Sequence, residues 1–113
     1  MDSNEGPLTT AALYILLALS EGDLHGYGIM QSVKIQSGGS YKIGPGTLYA
    51  NLSTLLAKGL VGEGQRKLKN GDTRREYCLT SDGERVLRAE VRRLQRVVAT
   101  ARRRLGSLSE GGT

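Results

Sequence analysis

The sequence predicts a mostly α-helical domain with a small β-hairpin wing: three short helices, the hairpin, then one long helix. Three observations carry this. Leucines recur at helical spacing after Gly44-Pro45. An Asn70-Gly71 pair separates two extended segments. Apolar residues four and three apart run from Leu87 to Leu108.

The first helix is expected from about Thr9 to Ser20. Its apolar residues, from Leu8 to Leu19, go nearly all the way round, and such a helix must be covered on every side. If it is peripheral, a second chain covers Leu13, Tyr14 and Leu17; the alternative is a central core helix. The second helix begins around His25-Gly26, carries Tyr27, Ile29, Met30 and Val33 inward, and fades into a flexible loop at 36–40. His25 reads as a cap or packing residue at its start rather than a chemical group.

The third helix follows Gly44, with Pro45 at the first helical position, where a missing N–H costs nothing. At 100° per residue Leu48, Leu52, Leu55 and Leu56 share one face. Gly46, Ala50, Ser53, Thr54 and Ala57 lie opposite, flanked by Thr47 and Lys58, and Gly59 ends the helix. The hairpin strands are expected at Val61–Leu68 and Thr73–Leu79, joined through Lys69-Asn70-Gly71-Asp72 in a type I′ turn. That register sets Lys67 opposite Arg74 and Arg66 opposite Arg75. Facing like charges destabilise a hairpin, so neutralisation by phosphates is favoured over plain solvation.

The last helix starts near Thr80 or Ser81, with Asp82 and Glu84 in its first turn. Leu87, Val91, Leu94, Val98, Ala101, Leu105 and Leu108 form a seam of about three heptads. Arg88, Gln95, Arg102 and Arg104 flank it and Val97 broadens it, which suits packing on the first helix of a partner chain. Folding back on its own domain is the alternative.

The chain has 113 residues, one domain's worth, and a formal net charge of +5. Residues 1–62 are near neutral; the basic excess lies in the hairpin and in eight arginines between Arg85 and Arg104. Clustered basic charge fits a polyanion or, on the last helix, a solvated surface. The expected divisions are disordered residues 1–7, a winged domain over 8–80, a C-terminal dimerisation helix over 81–105 and a disordered tail over 106–113. Cys78 alone cannot form an internal disulfide and fits a reducing compartment. The apolar run Ala11 to Leu19 is far short of the ~20 residues of a membrane span, and no basic leader precedes it. A cytoplasmic protein without membrane association is expected. One His and one Cys make no zinc site, Gly44-Pro45-Gly46 lacks the lysine of a phosphate loop, and no catalytic set is visible. No cofactor, metal or enzymatic activity is expected.

This element order is that of a winged helix-turn-helix with a long C-terminal dimerisation helix. Small outward residues bring the third helix close to base pairs. There Thr47, Ser53 and Thr54 meet bases or phosphates and Tyr49 reaches a phosphate. Lys69 and Asn70 at the wing tip reach a minor groove, and Lys67, Arg74 and Arg75 meet the backbone. Lys42, just ahead of the helix, is counted with them. Leu13, Tyr14, Leu17, Leu87, Val91, Leu94, Val98, Ala101 and Leu105 form the expected dimer interface.

In His25-Gly26-Tyr27, Pro45-Gly46-Thr47-Leu48-Tyr49, Lys58-Gly59-Leu60 and Arg74-Arg75-Glu76-Tyr77-Cys78-Leu79-Thr80 with Gly83, the chain resembles the PadR-like family of bacterial transcriptional regulators. The resemblance implies a homodimer on double-stranded DNA, repressing from a roughly palindromic operator and relieved by a ligand or stress signal. The compact subgroup, with a single C-terminal helix, fits best. Ala50 stands where the family often has Pro, and Ser53 and Thr54 where relatives carry basic residues, so affinity leans on the wing. The chain has no Trp or Phe to stack a flat ligand. The expected function is therefore a sequence-specific DNA-binding repressor with a small-molecule effector of unidentified structure. The alternative is a protein-interaction or small-molecule sensor module with little DNA specificity.

Overall fold

The computed structural model describes residues 6–106. The expected disorder of residues 1–5 and 107–113, and Leu108 at the end of the seam, fall outside the described residues. The elements are α1 (Thr10–Leu19), α2 (Gly26–Gln36), α3 (Pro45–Ala57), β1 (Val61–Lys67), β2 (Thr73–Leu79) and α4 (Ser81–Leu105). Three helices and an antiparallel hairpin surround one core, and α4 leads away from it: a winged helix-turn-helix with a long final helix.

α1 begins at Thr9, whose hydroxyl oxygen accepts the Ala12 N–H. Its apolar surface is unevenly covered. Ala11, Ala12, Ile15, Leu16, Ala18 and Leu19 are buried within the chain, against α2, α3, α4 and β2. Leu13, Tyr14 and Leu17 remain half-buried along one stripe. The helix is therefore central, and its apolar circumference needs outside cover only over that stripe. A one-dimensional pattern does not show how many neighbours a helix has.

α2 buries Gly26, Ile29 and Val33 but leaves Tyr27 61% exposed, against the inward orientation expected for it. The spacing explains this, since Tyr27 lies about 160° round the helix from Ile29. Its hydroxyl oxygen accepts from the Gln31 amide one turn on. His25 occupies the N-cap position without a side-chain cap bond and packs its ring beside Tyr27. The segment after Gln36 is a hydrogen-bonded turn. Gly39 N–H donates to Lys34 O at 2.8 Å, and Ser37 Oγ accepts the Tyr41 N–H at 3.0 Å.

α3 ends in a Schellman motif. Gly59, at φ +75°, donates to Leu56 O, and Leu60 donates to Leu55 O. This turn delivers Leu60 and Val61 into the core and starts the wing. The far end of the wing returns to the same place. Thr80 N–H donates to Leu60 O, and its hydroxyl donates to Gly59 O at 2.7 Å. The Thr80 hydroxyl oxygen then accepts the Gly83 N–H at 2.9 Å, capping α4. Gly83 lies so close to the Leu60 carbonyl oxygen that a Cβ there would overlap it. A second bridge seats the wing, for Leu24 and Tyr77 exchange both backbone hydrogen bonds and make a third, one-residue strand beside β2.

Only the start of α4 belongs to the core. Gly83, Val86, Leu87 and Glu90 are buried; beyond them the apolar row becomes exposed, reaching 75% at Leu105. Leu87 was expected at the dimer seam, but at 6% exposure it packs inside its own chain. The alternative of folding back thus holds for the first turns of α4. The rest of this 25-residue helix, about 37 Å long, projects beyond them. Glu90 is the buried charged residue among those described. Its carboxylate accepts two hydrogen bonds from Arg93, at 2.7 and 2.8 Å, and one from Leu8 N–H, tying the segment before α1 to α4. The Arg93 bonds chiefly, helped by the Leu8 N–H, hold the Glu90 carboxyl below the usual carboxylate range, against the opposing effect of burial.

Two stability tests follow from these contacts. Gly83→Ala forces a Cβ onto a backbone carbonyl that cannot rotate away and is expected to cost about 3 kcal/mol or more in chemical denaturation. Gly46→Ala, with open space around it, stays within about 1 kcal/mol of the parent. For Glu90 the native pKa is depressed, so its contribution is complete above about pH 4.3 and is lost as pH falls through the lower native value. Glu90→Gln is expected to cost about 1–2 kcal/mol at neutral pH, with a deficit that shrinks in acid; a pH-independent deficit would assign the residue a purely steric role.

Candidate nucleic-acid interface

One surface brings together the outward face of α3 and the wing. Pro45 opens α3 at its first turn, with Gly44 at the N-cap. Leu48, Leu52 and Leu55 anchor the inner face. Lys42, Thr47, Tyr49, Ser53 and Thr54 are all exposed, as expected. The helix puts some of their polar groups to local use. Thr54 Oγ1 donates to Ala50 O, and Asn51 donates to Thr47 O at 2.8 Å. Apart from Lys58 at its C-cap, this helix carries no charged side chain.

Tyr49 has a neighbour that the sequence did not announce. Its hydroxyl lies against Gly26 at the start of α2, where any side chain would collide with it. Tyr49 thus spans the gap between α2 and α3 while remaining half exposed, and a side chain at position 26 would have to push its ring aside. A groove of about 330 Å³ runs along the other side of α3, between Ala50, Asn51, Thr54 and Lys58 and the segment Gly6–Thr9.

The wing differs from expectation by one residue. β1 and β2 pair with Arg66 opposite Arg74, Gln65 opposite Arg75 and Lys67 opposite Thr73. The cause is the turn. A two-residue type I′ loop needs positive φ at Asn70, and among the described residues no non-glycine residue has positive φ. Instead Gly71 N–H donates to Leu68 O and Leu68 N–H to Asp72 O, with Gly71 at φ +92°. These bonds enclose a three-residue loop, Lys69-Asn70-Gly71, with glycine at its left-handed position. Asn70 braces it by accepting from Asp72 N–H at 3.0 Å.

The register decides which charges meet. One pair of basic residues faces across the strands, not two, and a carboxylate serves both. Arg66 Nε lies 3.2 Å and Arg74 Nη2 3.8 Å from the same Glu76 oxygen. Arg75 Nε lies 3.4 Å from Glu63. The Tyr77 hydroxyl first and Glu63 next hold Arg75 above the ordinary guanidinium pKa, so it is charged at any working pH. Beside the phosphate neutralisation favoured over plain solvation from the sequence, Glu63 and Glu76 already offset these arginines within the chain. Both carboxylates were absent from the expected site, and only the observed register shows their role. Lys67, Lys69 and Asn70 stay exposed at the tip, and among the described residues the two lysines form no ion pair.

The expected dimer residues divide. Val91, Val98 and Leu105 are exposed, Leu94 and Ala101 half-buried, and Leu13 and Leu17 continue the apolar surface on α1. Leu17, Leu79, Leu87 and Val91 line a cleft of about 470 Å³ between α1 and α4. Tyr14 has an intrachain task, stacking on Tyr41 at 5.3 Å and 22°, and so braces the segment ahead of α3. Among the described residues no group of His, Cys, Asp and Glu could hold a metal, and no helix is long and apolar enough to cross a membrane.

Comparison with known proteins agrees with this geometry. Residues 15–89 match the family described as "Transcriptional regulator PadR-like family". Transcriptional regulator Rv3488 of Mycobacterium tuberculosis is 35% identical over 97 residues, which cover 86% of this chain and 84% of that protein. A 37.1 kDa protein in transposon TN4556 of Streptomyces fradiae is 38% identical over 87 residues. They cover 77% of this chain, which spans about a quarter (24%) of that relative's length. Among solved structures, Bacillus subtilis PadR in complex with operator DNA superposes with a TM-score of 0.63 at 24% identity, over 73% of this chain and 46% of that one.

Proposed function

Because the chain belongs to the PadR-like family of transcriptional regulators, we propose that it binds duplex DNA as a homodimer and represses transcription from a near-palindromic operator. Members of this family are regulators and not enzymes. The observation that carries the reading is the juxtaposition of an α3 face of small uncharged residues with a wing whose tip holds Lys67 and Lys69 exposed. Small side chains let a helix backbone approach base edges, where Thr47, Ser53 and Thr54 are the groups that read sequence. Lys42, Tyr49, Lys67, Lys69, Asn70, Arg74 and Arg75 meet phosphates or the minor groove and set position rather than sequence. In such a dimer the two α3 helices enter successive major grooves.

The dimer reading is supported by the uncovered apolar surface. Val91, Leu94, Val97, Val98 and Leu105 on α4, with Leu13 and Leu17 on α1, form a stripe that a second copy buries against its own. Release by a small molecule or a stress signal belongs to the same reading, as does action in the cytoplasm. The α1–α4 cleft, lined by residues of both dimer helices, is the place where a bound effector would alter how the two copies sit.

Anisotropy titrations with duplexes tiled over the chain's own upstream DNA test the DNA reading. Lys67→Ala with Lys69→Ala removes two cations per wing, so the slope of log affinity against log salt should flatten by about 2 for each wing engaged. An unchanged slope would remove the wing tip from the interface. Val98→Asp places a charge in the apolar stripe and should shift sedimentation at micromolar concentration from dimer toward monomer. Wild-type protein that sediments as a monomer there would end the dimer reading.

A further inference from the structure

The wing carries less free charge than its arginines suggest. From Val61 to Leu79 five basic residues stand against Glu63, Asp72 and Glu76, leaving +2. Three of the five have a carboxylate within 4 Å. Glu76 is the more enclosed partner, its side chain 15% exposed, and it lies between two facing guanidiniums. Glu63 is 40% exposed and sits on the other strand, beside Arg75. Neither carboxylate belongs to the core, and neither has an evident use in attracting DNA.

We propose that Glu63 and Glu76 are specificity-determining residues that limit how strongly the wing holds DNA of arbitrary sequence. The proposal rests on the DNA-binding reading above. Sequence-independent affinity comes almost entirely from cations neutralising phosphates. A phosphate that approaches Arg66, Arg74 or Arg75 must displace a carboxylate already there, and is repelled by it. On a cognate site α3 fixes where the wing lies, and Arg74 and Arg75 meet phosphates from that one position with their carboxylates beside them. On any other duplex the wing settles wherever its charge is best met, so the restraint acts mainly there. The two glutamates thereby leave discrimination to the uncharged face of α3.

Glu63→Gln is the cleaner test, because this carboxylate is more exposed than that of Glu76 and holds one ion pair rather than two. Labelled scrambled-sequence duplex and the upstream duplex best retained by wild type are titrated with the full chain at several salt concentrations. E63Q should bind the scrambled duplex about three- to tenfold more tightly at low salt and show a steeper salt dependence. Its gain on the retained duplex should be smaller, so that the ratio between the two falls. E76Q should act in the same sense, and E76D, which restores the charge, should return the scrambled duplex toward wild-type affinity. Thermal denaturation of each variant separates this from loss of fold, since an unfolded wing weakens binding to both duplexes. Wild type that retains a duplex while E63Q gains nothing on scrambled DNA overturns this inference alone. Wild type that ignores both duplexes in dilute buffer overturns the DNA reading and this inference with it.

Discussion

The corner where Thr80 meets Gly59 and Leu60 holds the other parts of this structure in relation to each other. Within four hydrogen bonds it joins the end of α3, both feet of the hairpin and the first turn of α4. The Thr80 side chain donates to one segment and accepts from another, which a hydroxyl can do and a carboxylate cannot. The contact of Gly83 with the Leu60 carbonyl sets how near α4 can come. Any change in this corner moves the wing relative to α3, and it also moves the arm that carries the apolar stripe. Geometry at the two functional surfaces is therefore shared rather than set separately.

Around that corner the chain divides its apolar residues between two purposes. Ile15, Leu16, Ile29, Leu48 and Leu52 are wholly enclosed and make a core of ordinary kind. Val91, Val97, Val98 and Leu105 are equally apolar and remain exposed. Most of a helix's stability comes from packing of its apolar face, and the outer half of α4 has little of that within the single chain. The polar residues are divided in a similar way. Those on α3 are uncharged, while those on the wing are charged, its arginines matched by carboxylates and its two tip lysines not.

Much of this was legible in the sequence because the signals are local. As helix-end signals Pro45, Gly59 and Thr80 act on adjacent residues, and they mark helix ends in the structure as they do in the sequence. The inner face of α3 followed from spacing alone. What could not be read depends on neighbours distant in sequence. The ten residues of α1 show that it must be covered all round, but not that α2, α3, α4 and β2 supply the cover. The pairing of Arg66 and Arg74 with Glu76 is decided by hairpin register, and register turned on whether Asn70 takes positive φ. Tyr27 is a simpler case, for its angle to Ile29 was available and points outward.

The loop Lys69-Asn70-Gly71 lies at the exposed tip of the wing, where changes in length are ordinarily well tolerated. Here its length carries more meaning. Side chains alternate between the two faces of a strand, so loss of one codon would slide β2 against β1 and reverse which side chains face outward. Arg66, Arg74 and Glu76 would no longer share a side, and Tyr77 would leave the interior for water. Among natural variants of this protein, amino-acid exchanges should therefore accumulate at the tip while deletions are purged.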